Sequence, residues 1–177
     1  MPEVNGFQIK EALKRWELRR RTADQQFQDS IRVFEGDERP SPQDVIGAYK
    51  LADESYAKLQ ELQQWYNQQV TCSVLGGKHT LSYCVKVVGG LGRTEKLWRD
   101  ACTEKRDRWY REELSRSKDQ EYAKRTVSIE EAIQFAEEAA KQASEVRAAI
   151  AVGNATAINV GDGGFQITPE QYEALFS

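Results

Sequence analysis

Residues 8–34 read QIKEALKRWELRRRTADQQFQDSIRVF. Within them Ile9, Leu13, Trp16, Arg20, Ala23, Phe27, Ser30 and Phe34 recur at alternating steps of four and three. That spacing keeps side chains on one seam of a helix lying along a neighbour, so the stretch predicts a single long helix. Asn5 precedes it as a cap. The helix should stop within Glu35-Gly36-Asp37-Glu38-Arg39-Pro40-Ser41-Pro42, where two prolines and a glycine break it and the charges stay hydrated.

Beyond the break the pattern resumes. Ser41-Pro42-Gln43-Asp44 has the residues of a helix start: a hydroxyl to cap, a proline in the first turn and a carboxylate at the positive end. Val45, Tyr49, Ala52, Tyr56, Leu59, Gln63, Tyr66 and Val70 then repeat the 4-3 steps, and Ala48, Leu51, Leu62 and Trp65 form a second apolar stripe. Two such helices joined by a short polar turn predict an antiparallel hairpin. A helix with two stripes needs more than one neighbour, supplied by later helices or by another subunit.

The stretch 70–92 supports two readings. Val70, Cys72 and Val74, and then Leu81, Tyr83, Val85 and Val87, alternate with other residues, favouring a β-hairpin that turns at Gly76-Gly77. The competing reading is a short extended piece, a glycine turn and a helix capped by Thr80, with Leu81, Cys84, Val85 and Val88 on one face. Gly89, Gly90 and Gly92 count against that helix at about 1 kcal/mol each relative to alanine. From Thr94 a helical stripe of Leu97, Trp98, Ala101, Lys105 and Trp109 follows, and 115–127 reads as a loop. Ser128-Ile129-Glu130-Glu131 is a capping box for a helix carrying Ile133, Ala136, Ala140, Ala143, Val146 and Ile150, whose alanines permit close approach. After Gly161-Asp162-Gly163-Gly164, Thr168 and Pro169 open a short last helix with Tyr172, Leu175 and Phe176 on one side.

The order of these features resembles a bacterial family of helical proteins labelled septicolysin. The resemblance rests on Ile9-Lys10-Glu11-Ala12-Leu13-Lys14-Arg15, the helix ending near Asn67, the glycine turn before Thr80-Leu81, and Val127-Ser128-Ile129-Glu130-Glu131-Ala132 through Arg147, with Ile150 and Asn154 after it. It spans about residues 5–158 and implies a helical bundle with an inserted turn, and helix rather than strand after Thr80. This chain departs from it at Val87-Val88-Gly89-Gly90 and in residues 159–177. The resemblance implies no activity, and a cytolytic role finds no export signal or membrane-length apolar run.

Composition narrows function less than shape. The chain has 177 residues, 40% apolar and 30% charged, with a net charge of -3. This excludes a disordered polyelectrolyte and gives the whole molecule no electrostatic pull on nucleic acid. Charge is segregated: residues 126–177 carry two basic and eight acidic groups, while 67–102 carry five and two. Helices from these parts could pair by charge within or between chains. Cys72, Cys84 and Cys102 are odd in number and not closely spaced, which reads as free thiols in a reducing cytoplasm.

Few residues suggest chemistry. His79 is the single histidine, and Cys72, His79 and Cys84 make three metal donors without an obvious fourth, so neither a metal site nor a general base is expected. Gly76-Gly77-Lys78-His79-Thr80 and Gly89-Gly90-Leu91-Gly92-Arg93-Thr94 place glycines before a basic residue and threonine, as anion-holding turns do, but without P-loop spacing. Arg20 lies on the buried seam, where it either extends outward along its stem or pairs with a carboxylate or polar ligand inside the bundle. Residues 105–111 interleave basic and aromatic groups, as single-strand nucleic-acid sites do.

These readings predict a mainly α fold: elongated antiparallel helical hairpins in a coiled-coil-like bundle, with a small β-hairpin near 70–88. They divide the chain into a helical domain, 1–158, and a glycine-rich linker with a short helix, 159–177. The expected role is that of a cytoplasmic, self-associating interaction or scaffold protein, without catalysis, cofactor or membrane attachment. One alternative is an oligomer that sequesters a nucleotide or other small anion through Arg20, Gly76, Gly77, Lys78, His79, Thr80 and Arg93. Another is nucleic-acid binding through 103–125.

Overall fold

The structure is a computed structural model that describes residues 2–31, 40–102, 126–160 and 164–177. Asn5 starts the first helix, α1 (Gly6–Ser30), by a capping box: its side chain accepts from the Gln8 amide, and Gln8 returns the bond to the Asn5 amide, both at 2.9 Å. Ser41 caps α2 (Pro42–Gln69), with Pro42 in its first turn as the sequence suggests. Phe34 and most of the intervening turn lie outside the described residues.

The chain divides into two compact units. The first comprises Met1–Thr71, Thr80–Ser82 and Ala151–Ser177. In it α1 and α2 pack against one another, with Arg20 bonded to Asp53, and Phe27 and Asp24 lining a groove with Ile46 and Tyr49. Gly6 lies against Tyr66. Low numbers on α1 thus meet high numbers on α2, so the hairpin is antiparallel. The predicted seam forms its core: Ile9, Trp16, Ala23, Val45, Ala52, Leu59 and Tyr66 are buried. Tyr49 departs from the pattern and is exposed at the hairpin's far end. The second stripe of α2 also divides, with Leu62 fully buried while Ala48 and Leu51 face outward.

The near end of the hairpin is closed by the chain termini. Strands β1 (Glu3–Val4) and β4 (Ile158–Asn159) pair antiparallel, Val4 opposite Ile158, and the Val160 amide bonds to the Pro2 carbonyl. The last helix, α5 (Pro169–Phe176), has Thr168 in a capping box with Gln171. Its end packs on α1: Trp16 Nε1 donates to the Leu175 carbonyl at 2.9 Å, and Arg15 donates to that of Phe176 at 2.7 Å. A two-residue strand pair at residues 3–4 and 158–159 has no periodic signal long enough to predict.

Both readings of 70–92 prove partly correct. Strands β2 (Thr71–Val74) and β3 (Gly77–Thr80) form the hairpin, and α3 (Leu81–Ala101) begins at once. The turn residues are Leu75 and Gly76, with φ of 54° and 75°, not Gly76 and Gly77. Left-handed values at both central positions match the right-handed twist of a two-residue hairpin. The alternation from Leu81 to Val87, read as a second strand, is helix instead. Leu81 and Cys84 face the core, but Val85 is exposed. Gly89, Gly90 and Gly92 lie inside α3, and the helix also takes in the segment expected to start at Thr94.

The second unit comprises Cys72–His79 and Tyr83–Ile150. Its last helix, α4 (Ile129–Ala155), runs on into the first unit's sequence and starts from the Ser128–Glu131 capping box. Ala132, Ala136, Ala139, Ala143 and Val146 are buried, and the Trp98 and Phe135 rings meet at 4.8 Å. The predicted stripe is one residue off at its start: Ile133 is exposed and Ala132 takes the inner position. Leu97 is likewise exposed, 65%, although the pattern placed it on the α3 stripe.

Candidate functional site

The glycine hairpin is a built turn. Leu75 and Gly76 reverse the chain, Gly77 opens β3, and Lys78 is exposed. The His79 ring lies over Gly77, where an added Cβ would stand 3.0 Å from Nε2, and it stacks on Tyr83 at 4.6 Å between centroids. Thr80 ends the strand and is exposed. The second glycine run is not a turn. As helix interior, Gly89–Gly92 has its amides committed to α3, which leaves no open amide cradle for a phosphate. Arg93 is exposed on that helix, its Nη1 close to Gly89.

Arg20 belongs to the first unit. Its guanidinium bonds to Asp53 at 3.1 Å and lies over the Tyr56 ring at 4.9 Å. The bond to Asp53 favours its charged form further. The two side chains are 32% and 53% exposed, so the arginine extends outward from the seam and meets its carboxylate at the surface, not inside the bundle. Residues 103–125, the candidate nucleic-acid segment, lie outside the described residues.

Two surfaces escaped the sequence reading. At the far end of the α1–α2 hairpin, Asp24, Phe27, Ile46 and Tyr49 line a groove of about 210 Å³. Ile46 and Tyr49 are 40% and 37% exposed, and Ile31, one turn beyond Phe27, is also exposed. At the near end a cavity of about 690 Å³ has walls from Pro2, Val160, Ile167 and Pro169, with Lys58, Gln166 and Gln171 contributing polar groups. Lys58 had a sequence signal: it falls in step with Leu51, Leu62 and Trp65, a lysine on an apolar stripe. Val160 and Ile167 sit in non-helical chain and had none.

The three cysteines are free. Cys72 on β2 and Cys84 in α3 are both buried. Burial, followed by the neighbouring Cys84 sulfur, pushes the Cys72 thiol up to about 11. Cys102 is apart from them, its thiol donating to the Trp98 carbonyl at 3.1 Å. Among the described residues no group of three or more His, Cys, Asp and Glu side chains could hold a metal ion. Nor is any helix among them long and apolar enough to cross a membrane.

Neither a protein-family model nor a curated protein matches the sequence. Among solved structures the chain is similar to a functionally unknown conserved protein from Corynebacterium diphtheriae, at 18% identity and a TM-score of 0.68. The match covers 89% of this chain and 100% of that one. At that identity the likeness establishes a shared mainly α fold and says nothing of activity.

Proposed function

We propose that this protein is a self-associating helical interaction module whose contact surface is the far end of the α1–α2 hairpin. The observation that carries the reading is the groove of Phe27, Ile46 and Tyr49, where apolar side chains on two facing helices stay in contact with water. Lone exposed apolar residues are ordinary, whereas several converging on one groove are the usual mark of a contact surface. The second, uncovered stripe segment at Ala48 and Leu51 lies on the same stretch of α2. Sedimentation equilibrium at micromolar concentration is expected to give a multiple of the 20.2 kDa chain mass. A mass of one chain across that range would remove the proposal.

A second reading is favoured by the cavity at Lys58. Apolar walls with one ammonium group suit a small carboxylate or phosphate carrying an apolar body. Thermal-shift screening with medium-chain fatty acids and nucleotides tests it. Stabilisation by the wild type that Lys58→Gln abolishes supports the reading, and no stabilisation by any anion counts against it.

A further inference from the structure

We infer, on the reading of the Lys58 cavity as an anion site, that its ligand is a monocarboxylate on a short apolar chain and that the bound ligand fastens the C-terminal segment to α2. Among the described lining residues Lys58 is the one charged group. It is half-buried on α2, with Glu54 one turn before it and Glu61 one turn after. Both spacings allow an ion pair along a helix, and a glutamate four residues ahead of a lysine is the better orientation. The same spacings do pair elsewhere in the chain: Glu11 with Lys14, Glu17 with Arg21 and Glu95 with Arg99. Lys58 makes neither pair, and among the described residues its ammonium has no hydrogen-bond partner. Gln171 adds donors to the same cavity. Its Oε1 accepts from the Thr168 amide at 3.2 Å, which leaves the side-chain NH2 for another acceptor. A head group that only accepts and carries one negative charge matches this supply. A phosphate monoester brings up to two charges to a single ammonium, and the second goes uncompensated. The remaining walls, Pro2, Val160, Ile167 and Pro169, suit an aliphatic chain.

The cavity joins three parts of the chain, all within the first unit: Pro2 at the N-terminus, Lys58 on α2, and the segment from Val160 to Gln171. Trp65, two turns beyond Lys58 on the same face of α2, meets the Phe165 ring at 5.9 Å. The segment therefore already lies beside this face. It is lightly held: among the described residues, 164–167 make no backbone hydrogen bond, and Leu175 is the buried residue of α5. Trp16 and Arg15 tie the end of α5 to α1. A carboxylate shared by Lys58 and Gln171 ties its start to α2, so binding stabilises the docked segment by linkage.

The test uses the full chain and isothermal titration calorimetry with octanoate, its neutral counterpart octanamide, and octyl phosphate above neutral pH. Octanoate is expected to bind at one site, with octanamide weaker by about tenfold or more for want of a charge-assisted bond. Octyl phosphate should bind more weakly than octanoate. These comparisons are made on the wild-type chain and need no substitution. Lys58→Arg should keep the preference for octanoate over octanamide, and Lys58→Gln should erase it. Hydrogen exchange at the α5 amides should slow when octanoate is bound. Octyl phosphate bound as tightly as octanoate or more so, with both lost in Lys58→Gln, overturns the monocarboxylate and leaves the anion site standing. No binding of either anion, octanamide matching octanoate, or octanoate binding that Lys58→Gln leaves unchanged removes the anion site itself. Octanoate bound with α5 exchange unaltered overturns the fastening.

Discussion

A methyl group on Gly6 would stand 2.3 Å from the Asn154 side-chain oxygen and 3.0 Å from a Tyr66 ring carbon. Inside an exposed helix, glycine to alanine gains about 1 kcal/mol of propensity. Here the overlap falls on a buried asparagine and a fully buried ring, and overpacking of that kind costs about 1–3 kcal/mol. Gly6→Ala is thus expected to lower the urea midpoint despite its better propensity. Leu75 presents the opposite case. Its φ of 54° is a left-handed conformation that disfavours a γ-branched side chain, and its surface is half exposed, so little burial is at stake. Leu75→Asn should stabilise the chain by about 0.5–1 kcal/mol, read as a higher urea midpoint. Cys72 yields a pH effect. Its folded thiol titrates near 11, against about 9 for an unperturbed thiol, so its contribution is complete below 9. Between 9 and 11 the unfolded chain releases the proton first, and stability falls with rising pH by up to about 2 kcal/mol. Comparing wild type with Cys72→Ala by chemical denaturation across that range isolates the effect, and an equal pH slope in both proteins would refute it.

At the level of elements, the caps and long stripes were readable because each is local chemistry repeated over several turns. Asn5, Ser41, Ser128 and Thr168 all cap as their positions imply. The 70–92 stretch was ambiguous because alternation over a few residues also fits one face of a helix, as at Leu81 and Cys84. The deciding feature was Leu75 in a left-handed turn, a conformation no composition rule assigns to leucine. Nor could the sequence reveal which surfaces stay uncovered. Leu62 and Leu51 belong to one stripe, yet only the end near the termini finds a partner. The candidate cavity depends on the same tertiary closure, which also explains a buried hydroxyl. Tyr66 Oη lies 2.7 Å from both the Gly153 and Thr156 carbonyls, where α4 ends beside α2. Tyr66→Phe removes the hydroxyl from both carbonyls without changing the ring, leaving Gly153 the Thr156 amide as donor. A loss of about 1–3 kcal/mol is expected in thermal or urea unfolding, and no loss would mean that water replaces the bond.

For the whole molecule, two forces could drive association, and they differ in their response to salt. The acidic 126–177 segment and the more basic 67–102 segment could attract one another between chains. Such pairing weakens as the screening length falls from about 10 Å at 0.1 M salt to about 3 Å at 1 M. The groove of Phe27, Ile46 and Tyr49 is apolar, and burying it is insensitive to moderate salt and strengthened by sulfate. A net charge of only -3 leaves little general repulsion to oppose contact. The expected outcome is an assembly whose mass stays constant from low salt to about 1 M sodium chloride. Ile46→Asp would place a second carboxylate in the contact beside Asp24, and an uncompensated buried charge costs several kcal/mol. Since 1.4 kcal/mol is tenfold in affinity, this change should weaken association by well over a hundredfold. Ile46 is 40% exposed in the single chain, so Ile46→Asp should lower the urea midpoint of the dilute protein only slightly. Loss of assembly together with an intact fold places the contact at this groove, whereas dissociation by salt with an indifferent Ile46→Asp moves it to the charged helices.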